Sequence, residues 1–327
     1  MSPRHALSRR LLMLGGTAAA LSAPAYAQAW PGRPISLVVG YPPGGQTDFA
    51  ARIVQNGLSQ ALGQPVVVEN RGGAGGNLGL DAVLRARPDG YTFLASNSSP
   101  MVINPHTFPP TGLNPLDLVN VCMILDAPLV YCVHPSVPAT TAPELVAWIK
   151  AQPRMIDYGI PAAGSLPHLA MELFRSRTGL PEMQQIPYRG SGPALQDFLA
   201  GRFPVMTDSL SVMAGALNAE QIRGVMTTST TRVPAFPTVP TAGEQGIDDF
   251  VVGAWTGISA PRGTPPEIIA RMNDTVNQVL RDPTVRRQIE AQGAVVGGGT
   301  ADAFDQRVRA DHARWGEIAR SNNITSG

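Results

Sequence analysis

Short apolar runs rich in β-branched residues alternate along this chain with stretches of helical periodicity, and the runs end in glycines or small hydroxyl residues. Ile35–Val39 reads as a strand, and 48–62 as a helix with Phe49, Ile53, Leu58 and Leu62 on one face. Residues 66–68 form the next strand, a glycine-rich loop follows at 72–77, and 78–86 is helical. Residues 92–95 return as a strand that ends in Ser96-Asn97-Ser98. A βαβαβ order of this kind can bury its apolar faces only as a parallel sheet with right-handed crossovers.

A second set with the same rhythm starts near Cys122. Strands are expected at 129–133, 158–160, 185–187, 203–206 and 222–227, and helices at 141–150, 167–177 and 193–200. A strand at 254–258, an amphipathic helix at 265–280 with Ile268, Ile269, Met272, Val276, Val279 and Leu280 on one face, and a helix at 303–324 complete the chain. Asp126-Ala127-Pro128 reads as a turn between two apolar runs, with Cys122 and Cys132 on either side. Either a cross-strand disulfide or two buried free thiols fits that spacing.

The amino terminus reads as an export signal over 1–27: Arg4, Arg9 and Arg10, an apolar run over 11–21, and Ala25-Tyr26-Ala27 ahead of Gln28. Ser8-Arg9-Arg10 followed by leucines resembles a twin-arginine signal, and an ordinary secretory signal fits as well. No later apolar run is long enough to span a membrane, so the expected mature chain is soluble and lies outside the cytoplasm. Its formal net charge of +1 gives no basic field for nucleic acid. Lys150 is the lone lysine among the basic residues, a bias that suits carboxylate recognition but also follows from genome composition.

In open α/β sheets, ligands bind at the carboxyl ends of strands. Here those exits carry Gly44-Gly45, Gly75-Gly76, Ser96-Asn97, Gly164-Ser165, Arg189-Gly190 and Thr207-Asp208. Tyr41-Pro42-Pro43-Gly44-Gly45-Gln46-Thr47-Asp48 is the most telling of them. Glycines let backbone N–H groups approach a guest, and the first turn of the following helix adds unpaired N–H groups and partial positive charge. Together these form a cradle for a small anion. Asp48 stabilises that helix start, binds a ligand ammonium or holds the loop closed, and should face aside if the guest is a simple dicarboxylate. Arg189 is either the guest's counter-charge or a rim residue.

Other chemistries lack their residues. The 72–79 loop has Leu78 where a dinucleotide fingerprint needs its third glycine, and no phosphate-loop lysine is present. Ser165 does not sit in a nucleophile elbow. His106, His134, His168 and His312 lack metal-ligand spacing, so neither metal nor cofactor is expected. His168, three residues after Ser165, reads as a polar residue at a helix start, a pocket donor, or a base without a legible triad.

The segments, taken together, resemble the Bug family, the periplasmic solute-binding proteins of tripartite tricarboxylate transporters. The resemblance rests on Arg33-Pro34-Ile35, Pro43-Gly44-Gly45-x-x-Asp48, Val68-Glu69-Asn70-Arg71-x-Gly73-Ala74-Gly75-Gly76-Asn77-x-Gly79 and Pro88-Asp89-Gly90-Tyr91-Thr92. It continues through Gly164-Ser165-x-x-His168, Pro187-Tyr188-Arg189-Gly190, Pro237-Thr238-Val239-Pro240-Thr241-x-x-Glu244 and Trp255-x-Gly257. It implies an α/β, two-lobe Venus-flytrap fold, each lobe a mostly parallel sheet flanked by helices. The expected lobes are 28–124 with 253–327, and 125–252. It implies capture of a small carboxylate for delivery to integral-membrane transporter subunits, by a monomer without catalysis. The rival readings are a sensor or scavenger without a permease, and an exported hydrolase using Ser165 and His168. The residues expected to bind ligand are Gly44, Gly45, Gln46, Thr47, Asp48, Ser96, Gly164, Ser165, His168, Thr207 and Asp208. Gln46 replaces a more usual small hydroxyl residue, and Ile160-Pro161-Ala162-Ala163 replaces a small-polar run, so the identity of the guest is left open.

Overall fold

The structure is a computed structural model, and it describes residues 30–109 and 112–321. The expected export signal and the last residues of the expected final helix lie outside these. The first repeat runs β1 (Ile35–Val39), α1 (Gln46–Leu62), β2 (Val66–Asn70), α2 (Asn77–Leu84), β3 (Thr92–Asn97) and a short α3 (Asn104–Thr107). A long strand, β4 (Val119–Val133), leads into α4 (Ala142–Lys150), β5 (Asp157–Ile160), α5 (Leu166–Thr178), β6 (Gln184–Pro187) and α6 (Ser191–Leu199). Then come β7 (Val205–Ser209), α7 (Leu210–Asn218), β8 (Arg223–Thr227) and β9 (Gly253–Ala260). The chain closes with α8 (Pro266–Leu280), α9 (Pro283–Ala291), β10 (Val295–Val296) and α10 (Ala301–Ser321).

Each lobe is built on three parallel strands, as the alternation requires. β1 pairs in parallel with β2 and β3, and β5 pairs in parallel with β6 and β7. The antiparallel strands β9, β4 and β10 extend the first sheet, and β4 and β8 extend the second. β4 therefore belongs to both sheets. It pairs with β9 over 119–128 and with β7 from Leu129 onward.

The expected turn at Asp126-Ala127-Pro128 is absent: β4 runs straight through it. Proline contributes no N–H to a ladder, and Pro128 stands where the strand exchanges one partner for the next, so the missing donor is tolerated there. The continuous strand also decides the cysteines. Cys122 and Cys132 lie on it roughly 33 Å apart at about 3.3 Å per residue, far beyond disulfide reach. Both are buried free thiols. Burial pushes the Cys122 thiol up to about 12, and burial raises Cys132 further still.

Two further observations fix how the layers meet. A Cβ on Gly79 would lie 2.5 Å from the Gly40 Cα, so only glycine lets α2 rest on the exit of β1. One apolar cluster joins Val38, Leu80, Leu94 and Trp255 of the first lobe to Leu166, Leu169 and Ala170 of α5 in the second. Trp255 is fully buried within it, and its Nε1 donates to Asp311 Oδ2 at 2.9 Å. The loops at the β1 exit and at the α6 start touch as well: Gly44 approaches Gly192, and Gly45 approaches Ser191. The two lobes are closed on one another.

Candidate functional site

Between the lobes lies a cavity of about 50 Å³, several times what one buried water needs. Its walls are strand exits and helix starts from both lobes. Tyr41, Gly45, Gln46 and Thr47 come from the β1–α1 junction, and Asn97, Ser98 and Ser99 from the end of β3. Pro161, Ala162, Ser165, Leu166 and Pro167 come from β5–α5, Ser191 from α6, Asp208 and Ser209 from β7, and Ala254 from β9.

Four helices open on this space, and none has its first turn closed by the side chain at its cap: α1 at Gly45, α5 at Ser165, α6 at Gly190 and α7 at Ser209. Of the helices that open elsewhere, α4 and α9 are capped by Thr141 and Asp282, while α2 and α8 have no side-chain cap. In α1 the first intrahelical bond runs from Phe49 N to Gly45 O, so the amides of Gln46, Thr47 and Asp48 have no acceptor within the helix. The glycine at the cap carries no Cβ to cover them. Converging first turns place partial positive charge around the cavity without a formal cation. Among the described residues, no lysine, arginine or histidine lines it.

Gln46 braces the space. Its Nε2 donates to Ala254 O and, at 3.2 Å, to Thr256 Oγ1 on β9; its Oε1 accepts from Ser211 Oγ of α7 at 3.1 Å. A small hydroxyl at this position could not span that gap between the lobes. The larger side chain is therefore a strut that also narrows the cavity.

Asp208 is the carboxylate in the wall. Its Oδ1 accepts from Ser209 N at 2.7 Å, while Oδ2 is buried without a hydrogen-bond partner. Burial pushes its pKa up to about 6, against the lowering effect of the nearby Ser191 hydroxyl and of Ser209. Tyr41 lines the same wall; its hydroxyl donates to Gly75 O at 2.8 Å, and burial raises its pKa well above the usual phenol range.

Of the residues expected to bind ligand, Gly45, Gln46, Thr47, Ser165 and Asp208 line the cavity, and the others do not. Asp48 turns aside, as a carboxylate near an anionic guest should. It accepts from Gly44 N at 3.1 Å, Asn70 Nδ2 at 2.9 Å and Arg52 Nε at 3.0 Å. It thereby takes up the Gly44 amide that the cradle was expected to offer. Gly164 N donates to His168 Nδ1 at 2.9 Å, and Gly164 O accepts from Thr107 Oγ1 at 3.0 Å, so both groups of Gly164 serve to hold the loop. Burial lowers the pKa of His168 and keeps its Nδ1 an acceptor. Ser165 Oγ donates to Ala162 O at 2.7 Å, so serine and histidine engage the backbone and not each other. Ser96 Oγ is paired with Ser259 inside the sheet, and Thr207 Oγ1 donates to Val130 O across the β4–β7 ladder. Arg189 is exposed and takes no part in the wall.

Ser96 and Thr207 miss the cavity because β3 and β7 each run further than their apolar runs indicate. The polar residues that line the site are Asn97 at the end of β3 with Ser98 and Ser99 after it, and Asp208 and Ser209 after Thr207. Tyr41, Ser191 and Ser209 carried a readable signal, since each adjoins a strand exit or an uncapped helix start. Ala254 carried none: it reaches the wall only because β9 returns beside β4. Among the described residues no group of three or more metal-ligating side chains occurs, and no helix is long and apolar enough to cross a membrane.

The family model described as tripartite tricarboxylate transporter family receptor matches residues 50–324. Protein BugT of Bordetella pertussis strain Tohama I is 38% identical over 304 residues, covering 92% of this chain and 93% of that protein. Among solved structures, R. palustris Rpa4515 with adipate superposes with a TM-score of 0.87 at 34% identity, covering 90% of this chain and 99% of the other. MatC from Rhodopseudomonas palustris with bound malate gives a TM-score of 0.84 at 29% identity, covering 88% and 99%.

Proposed function

Because the chain belongs to the tripartite tricarboxylate transporter receptor family, we propose that its cavity captures a small carboxylate in the periplasm and hands it to the membrane-embedded subunits of such a transporter. The observation that carries this reading is the meeting of four helix starts without side-chain caps around one pocket that no cationic side chain of the described residues lines. Backbone N–H groups there can replace the water around a carboxylate without burying an arginine. The adipate and malate held by the related R. palustris proteins support this guest class.

The moving parts follow from the chain path. The lobes hinge where β4 changes partners at Pro128 and where the chain returns at 250–253. Contacts such as Ser211 Oγ to Gln46 Oε1 and Leu166 N to Ser99 Oγ exist only with the lobes together, so a guest that adds its own contacts to both lobes shifts the population toward the closed form. The protein works as a monomer that binds without catalysis, and the segment 1–27 directs its export.

Thermal unfolding tests the binding claim. After refolding free of ligand, a carboxylate present at 100 times its dissociation constant is expected to add about 2.7 kcal/mol, a rise of about 5 °C for a chain of this size. The panel should contain aliphatic di- and tricarboxylates, hydroxy acids, aromatic acids and amino acids. An unchanged transition with every member would overturn carboxylate capture.

A further inference from the structure

Carboxylate capture leaves one group in the cavity unexplained. Asp208 lines the cavity, and its Oδ2 is buried without a hydrogen-bond partner. Asn97 Oδ1, on the opposite lobe, is a second buried acceptor without one. The neighbours of Asp208 do not neutralise it. They are the Ser191 hydroxyl from α6, Ser209 from its own strand, Tyr41 from the β1 exit and the Cys132 thiol from β4. No cation is among them, and none lines the cavity.

A plain diacid would therefore bring negative charge beside a buried carboxylate and leave Oδ2 unpaired, each a cost in a site closed from water. We propose that Asp208 selects the guest: the bound acid carries, near the carboxylate held by the helix starts, an ammonium or hydroxyl group that donates a hydrogen bond to Asp208 Oδ2. The site is then polarised. Helix N-termini hold the acid end, and Asp208 receives the donor end. The wall's own charge pattern supports this, because a site meant only for anions has no use for an unpaired carboxylate. Burial raises the pKa of Asp208, the sense expected of a carboxylate whose cavity wall, among the described residues, holds no cation. The inference rests on the carboxylate-binding reading above and narrows it to donor-bearing acids.

Titration calorimetry with acids matched in length separates the two. Succinate, malate and aspartate form one set; glutarate, 2-hydroxyglutarate and glutamate form another. In at least one set, a donor-bearing acid is expected to bind about tenfold or more tighter than the plain diacid, because a site built around an acceptor rejects an analogue that lacks the donor. Asp208→Asn is expected to shrink that ratio to within about threefold. If the acids bind with no preference for the donor, or if Asp208→Asn leaves the preference intact, the role of Asp208 is refuted while carboxylate capture stands. If no acid binds, carboxylate capture fails and this inference with it. The wild-type ratio decides the point even if the variant does not fold.

Discussion

Asp48→Ala is expected to lower the stability of the folded chain by about 2–3 kcal/mol, read as a shifted midpoint in urea unfolding. Asp48 is 5% exposed and satisfies the Gly44 amide, the Asn70 amide and the Arg52 guanidinium at once. Alanine leaves those donors unmet inside the loop that shapes the cradle. The loss falls short of the largest buried-pair values because Arg52 is half exposed and regains water. The pH dependence has a definite sign. Burial alone would raise the Asp48 pKa, but the hydrogen bonds from Arg52, Asn70 and Gly44 outweigh it and hold the carboxyl below its ordinary value of 3.8. Stabilisation from a depressed acid is complete above that value and drains away as the pH falls through the lower native pKa. The gap between wild type and Asp48→Ala should therefore be full at neutral pH and close in strong acid. An equal gap at all pH values would contradict the assigned network.

Gly192→Val is expected to weaken ligand binding by about 10–100-fold with little loss of stability. A Cβ at Gly192 would lie 2.9 Å from Pro43 O, a backbone atom of the opposite lobe. The clash exists only when the lobes meet. Within its own lobe Gly192 lies in the first turn of α6, where a side chain costs nothing in backbone strain and removes the entropic penalty of glycine. The substitution should thus act on the open–closed equilibrium and not on folding. Calorimetry should show the weakened affinity, and thermal unfolding of the ligand-free protein should show an unchanged or slightly raised midpoint. Unchanged affinity would mean that the guest does not require this edge to close.

The alternation of apolar runs and helical patterns was enough to find the parallel strands of both lobes, because each strand needs a helix to cover it. Antiparallel β4 was harder. Its run through Asp126-Ala127-Pro128 looks like a turn locally, and only pairing with β9, more than a hundred residues later, holds it extended. Helix α9 went unread because its apolar face is a single buried residue, Ile289. At the site, Gly45, Gln46 and Thr47 were legible because a glycine pair before a helix exposes amides whatever surrounds it. Asp48 and Gly164 were not, because their polar groups are consumed by partners that are set by tertiary packing: Arg52, Asn70, His168 and Thr107. Asp208 was found by its place at a strand exit. Its missing partner, the feature that gives it chemical meaning, is a property of the folded cavity alone.

The most direct test is a crystal structure of the protein with the tightest-binding acid of the panel. The guest's carboxylate is expected in the cavity between the lobes, its oxygens about 2.7–3.1 Å from first-turn backbone amides, those of Gln46 and Thr47 among them, or one water away, with no arginine or lysine in contact. A carboxylate held by an arginine fork, or bound anywhere else while this cavity stays without a guest, would contradict capture by uncapped helix starts.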